Sequence, residues 1–286
     1  SRENWQKIFA AIGSETKNTK LQIPVIYGID AIHGNNYTIG ATLFPQQIAQ
    51  AATWNPDLVK QGYEVTAYEA RATGIPWNFS PVLDLGRQPL WSRFFETFGE
   101  DVLLANKMTV AAISGLQGDN QYSPYHVAAC MKHFLGYSMS LSGKDRTPIW
   151  LSEREMREYY LPTFQTAIKQ GAKTVMINSA DINGTPVHAN YDILTTVLRN
   201  DLGFKGVAVT DWEDIYKLVD MHHVAANKKE AVYMAIMAGI DMSMTPNDYQ
   251  FTDLLIELIK EGRIPMTRID SSVSRILTLK YELGLF

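Results

Sequence analysis

The sequence predicts an α/β protein of the (β/α)8 TIM-barrel type, and three observations carry that expectation. Short apolar runs alternate with longer stretches of helical spacing along all 286 residues, as in a parallel sheet covered by helices. Almost every apolar run finishes in polar or charged residues, and barrels of this type keep their chemistry at the C-terminal ends of their strands. The main alternative, a doubly wound open sheet, usually carries a Gly-rich phosphate loop after its first strand. Here the first run leads into "IDAIHGNNY", with no GxGxxG.

The elements follow in order. "SRENWQKIFAAI" opens the chain with helical spacing, and strand candidates lie at 23–29, 76–84, 127–134, 174–178, 206–210 and 240–244. Between them, helical periodicity covers stretches such as 44–72, 100–117, 152–170, 190–202 and 227–238. "NPD" at 55–57 reads as a helix start, "SERE" at 152–155 resembles a capping box, and Gly171 and Gly203 close helices. The last stretch, "SSVSRILTLKYELGLF", is an amphipathic helix ended by Gly284. About six strands emerge by pattern, whereas a closed barrel needs eight. The chain begins at Ser1 rather than Met and ends on apolar Leu285 and Phe286. The expectation is one barrel domain over 1–286, a fragment of a longer protein; either further strands lie upstream of Ser1 or the barrel is incomplete.

Composition narrows the function. At 46% hydrophobic and 20% charged, with a net charge of −4, the chain reads as a globular domain with a sizeable core. The absence of a Lys/Arg run argues against nucleic acid. No apolar run approaches the roughly 18 residues of a membrane span. The one cysteine, Cys130, lies in the apolar run "VAACM" and reads as a small core hydrophobe. Nothing calls for a cofactor. His222-His223 could suggest metal ligands, but no carboxylate spacing supports a metal. The Met-rich "YMAIMAGIDMSM" reads as core.

The strand ends carry, in turn, Asp30 with His33, Asp84 with Arg87 and Arg93 beyond, Lys132-His133, Asn178-Ser179 with Asp181, Asp211-Trp212, and Asp241 with Ser243. Such a ring implies a pocket where acids, bases and amides converge on one ligand. A polyhydroxylated ligand suits it, because each hydroxyl both donates and accepts. Trp91 and Trp212 could stack on sugar rings. Each residue also has a plainer role. Asp84 and Asp241 could be caps or salt-bridge partners, and Arg93 could pair locally with Glu96. His133 could be a core histidine. Lys132 and His133 should face opposite sides of a strand unless it is bulged.

Several stretches together resemble glycoside hydrolase family 3, near its β-glucosidase and exo-β-glucanase branch. They are "GIDAIHG", "FSPVLDLGRQPLWSRFFETFGED", "AACMKHFLGY", "TVMINSADINGTPVHAN", "GVAVTDWEDI" and "GIDMSM", in the family's order and across almost the whole chain. The resemblance implies that Asp211 is a nucleophile, and that Asp30, Arg93, Lys132, His133 and Trp212 bind substrate; Ser179, a polar strand-end residue, is a further candidate for substrate binding. It implies retaining hydrolysis of terminal β-D-glucosyl residues through a glycosyl-enzyme, with Lys132 and Arg93 keeping Asp211 ionised. In this branch a glutamate from a following α/β domain serves as acid/base, so that domain is the expected partner. The loop 135–148 lacks the histidine of the N-acetylglucosaminidase branch; Asp145 is the only carboxylate there. Other readings are a β-xylosidase, a β-N-acetylglucosaminidase, a phosphorylase or a non-catalytic sugar-binding barrel. The expected location is exported, periplasmic or extracellular.

Overall fold

The computed structural model describes residues 1–118 and 123–286. Its strands are β1 (Gly28–Ile29), β2 (Trp77–Asn78), β3 (Ala128–Phe134), β4 (Thr174–Ile177), β5 (Asp181–Ile182), β6 (Thr185–Pro186) and β7 (Val207–Val209). β1, β2, β3, β4 and β7 form one sheet in that order, every pairing parallel. A parallel bridge from Val209 to Met242 extends it. All six runs read from the sequence therefore lie in the sheet in chain order, giving a curled half-barrel rather than a closed ring. β5 and β6 make a small antiparallel hairpin in the loop beyond β4.

Helices fill the crossovers, and local chemistry sets their limits. The stretch 44–72 is two helices, Gln47–Ala51 and Pro56–Ala72. The Asn55 side chain accepts from the Leu58 N–H at 3.1 Å, and Pro56 starts the second helix where no N–H partner is required. Ser152 and Glu155 form the reciprocal capping box that the sequence suggests. From there the chain runs through a wider π-type turn at Met156–Tyr160 into Leu161–Lys169. Gly171 and Gly203 take positive φ, 81° and 67°, which lets the chain reverse after a helix at no side-chain cost.

The core lies on both faces of the sheet. One apolar cluster packs Val59, Met108, Leu116, Met131, Phe164 and Leu198 between strands and crossover helices. The other face carries Trp77, Ala128, Cys130, Met176, Val207 and Val209, against which the C-terminal helix Met266–Glu282 sets Leu279. Cys130 is wholly buried in that cluster, and burial pushes its thiol up to about 12. It packs as the small hydrophobe that the sequence suggests.

Where the strands stop, side-chain amides continue the pairing. Asn78 binds both the N–H and C=O of Ala31, at 3.0 and 2.9 Å. Gln47 does the same for Val82 at 2.9 and 2.7 Å, and Asn183 for Leu151 at 2.9 and 2.8 Å. Each amide takes the place of a neighbouring strand and satisfies backbone groups that would otherwise lie unpaired. Asn78→Ala should therefore cost about 2–4 kcal/mol, since it leaves a buried donor and acceptor unsatisfied. Denaturant unfolding measures this, and a loss below about 0.5 kcal/mol would show that the clamp is dispensable.

Candidate active site

β3 solves the problem posed by two consecutive polar residues. Its register against β4 shifts between Met131 and Phe134, and both Lys132 and His133 reach the same group of side chains. Lys132 Nζ lies 2.5 Å from Asp30 Oδ1 at the end of β1. His133 Nε2 lies 3.8 Å from Asp211 Oδ2 beyond β7. Both side chains are almost fully buried. Behind the imidazole, Asp84 Oδ2 accepts from the His133 backbone N–H at 3.0 Å and meets Nδ1 at 2.8 Å. Burial drives the His133 pKa well down, and Arg93, Lys132 and Arg146 push it the same way. An uncharged imidazole that donates from Nδ1 to Asp84 turns a bare Nε2 toward Asp211.

Asp211 is the centre of the arrangement. Its Oδ1 accepts the Trp212 N–H at 2.6 Å, and Ser179 Oγ donates to Oδ2 at 3.3 Å. Burial works to raise its pKa. Arg146, the Trp212 N–H, Lys132 and Arg93, in that order, oppose burial and hold the carboxyl below its usual range. Arg146 Nη2 is 3.6 Å away. The carboxyl is thus biased toward its ionised form and largely screened from water.

Arg146 is the residue that sequence reasoning missed. It lies in the loop 135–148, where the sequence singles out only the carboxylate of Asp145. It binds Asp145 at 3.0 Å and points Nε at Asp214, 3.8 Å away. The Tyr137 hydroxyl donates to Asp145 on the other side, and the Tyr137 ring meets His133 edge-on, with centroids 5.1 Å apart. Asp214 is buried and also pairs with Lys217 at 2.7 Å. The only sequence signal was an arginine beside the sole carboxylate of that loop.

Other expectations resolve individually. Arg93 forms the local pair, bidentate to Glu96 at 2.8 and 2.7 Å, and acts on Asp211 from further off. Trp91 is buried against Tyr137, with centroids 5.5 Å apart, and so is not a sugar platform. Trp212 is half exposed and keeps that possibility. Asp241 turns away from Asp211 and takes Arg199 at 2.6 Å and Arg275 at 2.9 Å, a salt-bridge role. Asn178 braces the Leu135 carbonyl and the Ala180 N–H. His222 and His223 face different backbone carbonyls, those of Ser179 and Val219. Arg87 stacks over Tyr159 at 3.9 Å, outside the pocket.

The electrostatics can be tested without a substrate. Arg146→Met removes the largest opposing charge, so the Asp211 carboxyl should titrate at higher pH. Its negative charge, present in wild type down through the acid range, would then be lost earlier as pH falls. Carbon-detected NMR titration of Asp211 reads this, and an unchanged titration would exclude Arg146 as the controlling charge.

Comparison with known proteins gives a consistent picture. The family model described as "Glycosyl hydrolase family 3 N terminal domain" matches residues 1–279. A lysosomal beta glucosidase of Dictyostelium discoideum is 51% identical over 93% of this chain and 33% of its own length. A beta-xylosidase of Formosa agariphila is 38% identical over 98% of this chain and 41% of its own. The crystal structure of a beta-glucosidase from Listeria innocua superposes with a TM-score of 0.90 at 35% identity, over 96% of this chain and 37% of that one. The chain thus spans about a third to two fifths of the proteins that it matches. The match to the family model and the likeness in fold agree, and the chain belongs to the glycosyl hydrolase family 3 N-terminal domain.

Proposed function

We propose that this chain is the catalytic barrel of a retaining, exo-acting β-glucosidase. The observation that carries the reading is Asp211, a mostly buried carboxylate held ionised by Arg146, Lys132 and Arg93. In the proposed reaction it attacks the anomeric carbon of a terminal β-D-glucosyl unit and forms a covalent glycosyl-enzyme. Asp30 and Lys132 form an acceptor-donor pair for outer hydroxyls, and the bare Nε2 of His133 accepts a further one. Ser179 orients Asp211, Arg93 adds charge from the Glu96 side, and the exposed face of Trp212 receives the leaving group. The beta-glucosidase name of the Dictyostelium relative supports this reading.

The acid/base is proposed to come from a following α/β domain of the same protein. The carboxyls grouped with Asp211 among the described residues are already committed. Asp30 is on Lys132, Asp145 on Tyr137 and Arg146, and Asp214 on Lys217. Burial pushes Asp84 up to about 7, against the pull of the His133 N–H and Arg93. That value suits an acid/base, but Asp84 is sealed behind the imidazole. The engagement of Asp145 also argues against the N-acetylglucosaminidase reading. A non-catalytic barrel would have no use for an ionised carboxylate kept in so dry a position. β-Xylosidase is the second reading, favoured by the Formosa relative; parallel assays on aryl β-glucoside and aryl β-xyloside distinguish the two.

No helix among the described residues is long and apolar enough to cross a membrane. The lysosomal relative supports a location reached by export, which we propose to be periplasmic or extracellular here.

Asp211→Asn should lower kcat for an aryl β-glucoside by several orders of magnitude with the fold intact. Turnover near that of wild type would remove Asp211 from the role. Asp30→Ala should cost about 2–4 kcal/mol in kcat/KM. The loss should shrink on a deoxy-glucoside lacking the matching hydroxyl. An equal loss on every deoxy-glucoside would make Asp30 structural.

A further inference from the structure

On the opposite face from the pocket, beneath the N-terminal ends of β4 and β7, two open grooves of about 450 and 490 Å³ meet at Arg275. Lys173 and Lys205 line the first, and Arg199 and Arg268 the second. Among the described residues, the acids paired with these five cations are Asp241 and Glu282. The chain as a whole carries −4, so this positive excess is local and runs against the general charge.

The donors are unevenly used. Arg268 is fully engaged by the carbonyls of Ile236 and Ile240, by Ser272 and by Asp241. Arg199 binds the carbonyls of Phe204 and Gly206 as well as Asp241. These two arginines serve the packing of the helices. Arg275 differs: it gives only Nη1 to Asp241, at 2.9 Å, and lines both grooves. Lys205 is exposed beside it. Lys173 is paired with Glu282 at 3.0 Å, a carboxylate that any anion here must approach. Burial, with added repulsion from Arg275 and Arg268, pushes the Arg199 guanidinium down to about 10 despite Asp241. The cluster is thus short of negative charge in the folded protein.

We propose that the junction at Arg275 is an oxyanion site that takes a phosphate or sulfate group, with Arg275 as the forked donor and Lys205 as the second charge. A tetrahedral oxyanion offers paired acceptors to the free edge of a guanidinium and supplies the charge that Asp241 leaves uncompensated. A carboxylate of single charge would leave part of the excess unmet. The group has two possible sources, a free inorganic ion or an ester carried on a saccharide.

Isothermal titration of the protein with inorganic phosphate tests the site, alongside thermal unfolding in phosphate and in chloride of equal ionic strength. Saturable binding near one equivalent is expected, with a rise in Tm of about 5 °C at a hundredfold excess over Kd. Arg275→Gln should abolish binding. Because it also removes a partner of Asp241, Lys205→Glu serves as the second variant. Lys205 is exposed and far from the pocket, so Lys205→Glu should weaken phosphate at least tenfold while the wild-type Tm in chloride is kept. Repeating the titration with inorganic sulfate and with a sulfated glucan oligosaccharide separates the sources: tighter binding of the oligosaccharide assigns a sugar-borne ester, and equal binding assigns the free ion. A non-saturable rise in Tm, equal in wild type and Lys205→Glu, would reflect general salt exclusion and overturn the site.

Discussion

The Asp211 carboxylate is largely withdrawn from water, and its charge is tolerable only because cations surround it. Burial alone would favour the protonated acid, which is a poor nucleophile. Arg146, Lys132 and Arg93 reverse that balance. Each cation is itself held by another acid: Arg146 by Asp145, Lys132 by Asp30, and Arg93 by Glu96. The pocket is therefore an alternating lattice of charge, and its members are fixed by one another as much as by the strands that bear them. In such a lattice the removal of one partner leaves an uncompensated charge on the next.

Much of the fold was legible in the sequence because parallel strands are buried on both faces and read as apolar runs. All six runs lie in the sheet, though several contribute only two or three ladder residues. The shortfall has a local cause. Past Asn78 the pairing passes to amide side chains, and no periodicity encodes that exchange. Asp30, Lys132, His133 and Asp211 were visible as strand-end polar residues. Trp91 and Asp241 show the limit of that rule. A strand-end tryptophan can turn inward to a tyrosine, and a strand-end aspartate can turn outward to arginines.

The bulge in β3 accounts for the hardest case. Period-two alternation places Lys132 and His133 on opposite faces, and only an irregular register brings both to Asp211 and Asp30. Nothing in the stretch "AACMKHF" announces this shift. Arg146 escaped for a different reason. Its loop has no repeating pattern, and its position depends on Tyr137, Asp145 and Asp214 acting together. A contact made by three residues from separate turns leaves almost no trace in local spacing.

The amide clamps have a consequence for how such a domain can change. A ladder fixes every residue along a strand, whereas a clamp fixes one residue at one point. Gln47, Asn78 and Asn183 each grip a single position at the base of a loop. Segments between clamps can lengthen or shorten while their anchored ends keep their place. Loop grafting among related enzymes should therefore succeed when donor and recipient boundaries are cut at Ala31, Val82 and Leu151, and it should fail when a graft carries the gripped residue without its amide.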